Sequence, residues 1–132
     1  MTEHRQPGLP IGPVLVIGCG LIGTSVALGL SAQGVRVHLR DQNPANVALA
    51  ESLGAGVSGP VAEPSLVVVA TPPSVVVSGV QAALAEFKNA TVTDVASVKR
   101  SIVEKIDDPR FVGGHPMAGK ERSGPIAATA QL

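Results

Sequence analysis

Aromatic side chains are almost missing from this chain: Phe87 and Phe111 are the only two among 132 residues, with no Trp and no Tyr. Binding of single-stranded nucleic acid needs rings on which bases stack, so that class of partner loses its platform. Net charge is missing too. Ten Lys and Arg balance ten Asp and Glu, and without a basic field neither nucleic acid nor an anionic membrane surface is drawn to the protein. Cysteine occurs once, as Cys19, so no disulfide closes within the chain and a reducing, cytoplasmic setting is expected. His4, His38 and His115 are scattered, without the close His or Cys spacing of a zinc site, and no metal is expected. No apolar run reaches the roughly 20 residues that a bilayer crossing requires. The apolar stretch over 11–22 is broken by glycines and Pro13 and lacks a small-residue cleavage site, which separates it from a secretory signal.

What is present is the composition of a packed domain. Hydrophobic residues make up 45% and charged residues 15%, and the length suits one core and not two. Residues 1–12 are polar, with Pro7, Gly8 and Pro10, and read as a flexible N-terminal arm. Residues 13–132 then read as one unit. Val14-Leu15-Val16-Ile17 is an apolar run that stops at glycine, as a strand buried on both faces does. A helix is predicted over 21–33, ended by Gly34, and an alternating strand over 35–41. Pro44 suits a first helical position, and the helix over 45–53 stops at Gly54. The segment 54–64 is so rich in glycine and proline that any third strand there is vestigial. Leu66-Val67-Val68-Val69 reads as a central strand, followed by a helix over 74–87, a strand over 91–95, a helix over 97–106 and a last strand over 110–113. Alternating strands and helices predict an α/β fold, a doubly wound parallel sheet of Rossmann type.

Gly18-Cys19-Gly20-Leu21-Ile22-Gly23 is a G-x-G-x-x-G placed between the first strand and the first helix. In that context Gly18 serves the tight turn, Gly20 lets a pyrophosphate reach the backbone, and Gly23 lets the helix pack on the strand. Leu21 and Ile22 complete the loop against the cofactor. Asp41 ends the second strand at about the 20-residue distance expected of an acid that bonds a ribose diol. The plainer alternative is that the glycines only turn the chain and Asp41 only caps the next helix. Arg40 precedes Asp41, and a guanidinium there attracts a 2′-phosphate; on an alternating strand the two side chains point opposite ways, which favours NAD over NADP.

Thr71, Ser97 and His115 each fall just past the carboxyl end of a predicted strand, the edge where open α/β sheets bind ligands. Thr71 is a candidate cofactor contact. Ser97 and His115 are candidate catalytic residues, although a serine before a helix is also an ordinary N-cap and a lone histidine is often structural. Asp94 reads as holding the strand-to-helix turn, and Cys19 as a small filler in the glycine loop.

Three segments, GCGLIGTS at 18–25, TDVASVK at 93–99 and GGHPMAGKERSG at 113–124, give the chain a family likeness. It resembles the N-terminal half of prephenate and arogenate dehydrogenases, the oxidoreductases of tyrosine biosynthesis. The resemblance implies an NAD-dependent oxidative decarboxylation of prephenate or arogenate, with His115 taking part in catalysis and Ser97 assisting it. It also implies that this chain is the nucleotide-binding part of a longer enzyme, whose helical domain dimerises and helps hold the substrate carboxylates. Lys120 departs from the family, in which a small hydroxyl residue is common there. Two other classes share these nucleotide-binding features: a 3-hydroxyacid or imine reductase, which has no need of the His115 loop, and a nucleotide-sensing module that carries out no chemistry.

Overall fold

Val14–Ile17 and Leu66–Val69 contain little but branched aliphatic residues, and they become the two central strands of a parallel sheet. The computed structural model describes residues 12–95, 106 and 108–113. In chain order these form β1 (Val14–Ile17), α1 (Leu21–Ala32), β2 (Val37–Arg40), α2 (Pro44–Ser52), β3 (Val57–Ser58), β4 (Leu66–Val69), α3 (Val76–Glu86), β5 (Thr91–Asp94) and β6 (Phe111–Val112). The six strands lie in the order β3-β2-β1-β4-β5-β6, all parallel. The chain winds outward from β1 in one direction and from β4 in the other, so the topological switch falls between those two strands.

Alternate residues of the central strands supply two separate cores. Leu15, Val67, Val69 and Val92 pack beneath α3, against Val76, Val80 and Phe87. Val14, Val16, Leu39 and Val68 pack on the opposite face, against Ala27 of α1 and Ala50 of α2. Burial on both faces is why these strands show no polar alternation. Small residues set the spacing of α1, whose buried positions are Gly23, Ala27 and Gly29, so its axis lies close to the sheet and its start is held near the end of β1.

The differences from the predicted elements have local causes. The strand predicted over 35–41 is only Val37–Arg40, because the Val35 N–H turns back to the Leu30 carbonyl as part of the stop of α1. The helix predicted over 74–87 begins as a 3-10 turn at Pro73–Val75 and becomes α-helical at Val76, since prolines fit a first turn but cannot donate within a helix. The vestigial third strand is the two-residue β3, paired with His38 and Leu39 of β2. Residues 1–11 of the arm predicted over 1–12 and nearly all of the helix predicted over 97–106 lie outside the described residues; Ile106 is described, and it is buried in the cluster beneath α3. Among the described residues no helix is long and apolar enough to cross a membrane.

Arg110 joins the far end of the sheet to α3. Its guanidinium donates to the Leu84 carbonyl at 2.7 Å and the Phe87 carbonyl at 2.6 Å, placing a cation where the helix exposes its last carbonyls. Asp108 steadies it, accepting from the Arg110 N–H at 2.8 Å. Removing the guanidinium in Arg110→Ala is expected to cost about 1 to 2 kcal/mol and to lower Tm by roughly 4 to 8 °C. Calorimetric melting checks this, and an unchanged Tm would show that α3 does not need the cap.

Candidate functional site

The carboxyl ends of β1 and β4 meet the start of α1 at a point too crowded for side chains. Gly18 has φ +102, and a Cβ there would lie 2.7 Å from both the carbonyl carbon and the oxygen of Ala70. A Cβ on Gly23 would lie 1.8 Å from the Gly18 carbonyl oxygen. Gly20 is different: a Cβ there would meet nothing within 4 Å. Two of the glycines are thus demanded by the fold itself, whereas the third leaves open space beside the backbone. Gly20 is also the N-cap of α1, which has no side-chain cap hydrogen bond and no acid in its first turn. The N–H groups at that helix start therefore remain suited to an anion.

Asp41 is bound into this turn. One carboxylate oxygen accepts from the Cys19 N–H at 2.7 Å; the other accepts from the Asn43 N–H at 2.8 Å and from the Asn46 side-chain amide at 3.4 Å. Burial alone would raise its pKa, but these hydrogen bonds outweigh burial and hold the group below its usual value of 3.8. It is a fixed carboxylate at neutral pH. The capping of α2 falls to Asn43, whose side chain accepts from Ala45 N–H at 3.0 Å, so Asp41 braces the approach to that helix without capping it.

Arg40 goes the other way. It forms a two-pronged pair with Glu86 at 3.0 and 3.2 Å and lies 5.7 Å from the centre of the Phe87 ring, on the α3 side of the sheet. Thr71 follows β4, with its N–H 3.0 Å from where a Gly18 Cβ would stand. Its Oγ1 is buried with no hydrogen-bond partner among the described residues. Leu21 and Ile22 open α1 and are 86% and 47% exposed. The structure therefore gathers Gly18, Gly20, Gly23, Leu21, Ile22, Asp41 and Thr71 at one edge. Ser97 and His115 lie outside the described residues. Asp94, at the end of β5, is fully buried.

Two features escaped the sequence reading. The Cys19 N–H that holds Asp41 is a backbone group, so no residue type signals it. The Cys19 thiol itself is buried, and burial together with the nearby Asp41 charge pushes its pKa up to about 11; it stays protonated and unreactive. The second feature is a cleft of about 410 Å³ beside α2, lined by Leu39, Arg40, Asp41, Pro44, Val47 and Glu51 among others. Among the described residues, no group of three or more His, Cys, Asp or Glu is placed to hold a metal ion.

A parallel sheet with this strand order, a glycine turn at its switch point and an acid at the end of the second strand define a dinucleotide-binding domain of Rossmann type. Residues 26–132 match the family described as prephenate dehydrogenase, nucleotide-binding domain, and the chain belongs to that family. It is 38% identical over 124 residues to the Streptomyces niveus protein named probable prephenate dehydrogenase NovF, covering 89% of this chain and 34% of that protein. With the prephenate dehydrogenase of Bacillus subtilis it shares 34% identity over 135 residues, covering 87% of this chain and 35% of the relative. The chain thus spans about a third of the length of these relatives. Among solved structures, the prephenate dehydrogenase of A. aeolicus in complex with hydroxyphenyl propionate and NAD+ superposes with a TM-score of 0.68 at 27% identity. That match covers 89% of this chain and 46% of the other.

The two kinds of glycine separate experimentally. Gly23→Ala forces a methyl into the Gly18 carbonyl and is expected to destabilise the domain by about 3 kcal/mol or more, whereas Gly20→Ala meets no atom within 4 Å and should cost only the N-cap preference, about 1 kcal/mol or less. Urea denaturation of both variants checks the contrast. Equal losses would contradict the open space at Gly20.

Proposed function

We propose that this chain binds NAD as the nucleotide-binding part of a prephenate or arogenate dehydrogenase. The observation that carries the reading is the Asp41 carboxylate, charged at neutral pH and fixed against the glycine turn by the Cys19 N–H. A carboxylate has about four acceptor positions, so three bonds from the protein leave capacity for a ribose hydroxyl. It also repels a 2′-phosphate, which favours NAD over NADP.

The remaining residues fit such a ligand. The gap beside Gly20 admits a pyrophosphate to the backbone, and the start of α1 presents N–H donors and the positive end of its dipole. Thr71 adds its backbone N–H beside the Gly18 turn, while its Oγ1 is buried near Gly79 of α3. Leu21 and Ile22, exposed at the same edge, would shield the bound cofactor from water. When bound, NAD supplies a hydride acceptor to the reaction.

The reaction assigned to the parent enzyme is oxidation of a ring carbinol with loss of the ring carboxylate as carbon dioxide. Neutral His115 takes the hydroxyl proton or its hydrogen bond, and Ser97 orients the imidazole or the hydroxyl. This assignment rests on the HPMAG segment and on the position of both residues after strand ends. The substrate is a small molecule, and the full-length enzyme is expected to pair as a homodimer through a domain outside this chain.

Loss of a charge-assisted hydrogen bond costs about 1.5 to 3 kcal/mol, so Asp41→Ala should weaken NAD binding roughly ten-fold or more. Calorimetric titration of both nucleotides measures it; tighter binding of NADP than of NAD by the unaltered chain would overturn the assignment. Because hydrogen bonding lowers the Asp41 pKa, the carboxylate persists above its usual value of 3.8 and is lost only as pH falls below it. NAD affinity should accordingly stay flat from about pH 8 to about pH 5.

In the full-length enzyme, His115→Asn should lower kcat by roughly 10² to 10⁴ with little change in NAD affinity, and Ser97→Ala should cost less. The parent should lose kcat/KM as pH falls through about 6.5, because imidazolium cannot accept a proton. Steady-state kinetics across pH test both statements. A variant lacking His115 that keeps near-parental kcat and the same acid limb would make His115 structural.

A further inference from the structure

Arg40 and Asp41 are consecutive at the carboxyl end of β2, yet their charged groups are held by different partners. Asp41 turns to the glycine loop, while the Arg40 guanidinium is drawn under the sheet edge to Glu86 and the Phe87 ring. Glu86 is the last residue of α3. That helix starts beyond the carboxyl end of β4 and runs back to the start of β5, so Glu86 lies toward the amino ends of the strands. The pair therefore carries a cation away from the edge where the ribose of a dinucleotide sits.

From this geometry we propose that Glu86 is a positioning residue for cofactor choice: by clamping Arg40 against α3, it keeps a guanidinium from reaching a 2′-phosphate beside Asp41. The inference rests on the reading that Asp41 receives the adenosine ribose. Both clamp members are partly exposed, at 41% for the Arg40 side chain and 48% for Glu86, so the clamp is modest and reversible. Released, an arginine whose Cα stands next to Asp41 has the reach to meet a phosphate at the same edge, and its planar fork suits that group. Phe87 adds a cation–π contact that favours the clamped position.

The test is calorimetric titration of the 132-residue chain with NAD and with NADP, on the unaltered protein and on E86Q, R40A and the double variant R40A/E86Q. E86Q should tighten NADP binding about three- to five-fold, the range set by freeing a partly sequestered competent state, and leave NAD binding within about two-fold. R40A alone should lower NADP affinity by no more than about two- to three-fold, because the clamp holds Arg40 withdrawn most of the time. The double variant should lose the gain. An E86Q protein that melts normally yet binds NADP no better overturns the proposal, as does a gain that survives in R40A/E86Q. Should E86Q fail to fold, a loss of NADP affinity of more than about five-fold in R40A overturns it independently, because Arg40 would then already be engaging the phosphate. If NAD binding is insensitive to Asp41→Ala, or the unaltered chain binds neither nucleotide, the reading of the site fails first and this inference with it; if Asp41 matters but E86Q changes nothing, this inference alone fails.

Discussion

The close approach of three backbone segments at the switch point governs the rest of the structure. The end of β1, the start of α1 and the turn after β4 converge so tightly that a single methyl on Gly23 would stand 1.8 Å from the Gly18 carbonyl oxygen. That contact sets how near α1 lies to the sheet. It also fixes the start of α1 at the carboxyl edge, and with it the Gly20 gap and the donors of the first turn. The hydrophobic layers on either face, built from alternate residues of β1 and β4, supply the force that holds these segments together.

Electrostatics then act on this fixed frame. Asp41 ties the end of β2 to the glycine turn through Cys19 N–H, so the acid belongs to the turn as much as to its strand. Its hydrogen bonds keep it ionised and fixed in place. Arg40, one residue earlier, is anchored on α3. A change of strand face over one residue thus sends opposite charges to opposite sides of the sheet, with Glu86 holding Arg40.

Much of this was legible in the sequence because the signals are local. The apolar runs of β1 and β4, the stops at Gly34 and Gly54, and the glycine turn followed by Asp41 all depend on near neighbours in the chain. The parallel, doubly wound class follows from the alternation of strands and helices along most of the chain. What stayed hidden depends on distant residues or on backbone atoms. Arg40 and Glu86 are 46 positions apart, and nothing in either neighbourhood announces the pair. Arg110, which caps α3, is 26 positions from Leu84. The shortening of β2 arose because the stop of α1 claims Val35, a competition that side-chain alternation does not register. Ser97 and His115, conspicuous in sequence, lie outside the described residues.

The central claim is that the glycine turn and Asp41 together form the dinucleotide site. The most direct measurement is a titration of the isotopically labelled chain with NAD, followed through its backbone amide resonances. Binding at this edge moves the amides of Cys19, Gly20, Leu21 and Asp41 first and furthest, with smaller shifts at Thr71. Shifts confined to the cleft beside α2, at Val47, Ala48, Glu51 and Gly59, with Gly20 and Leu21 unmoved, would contradict it.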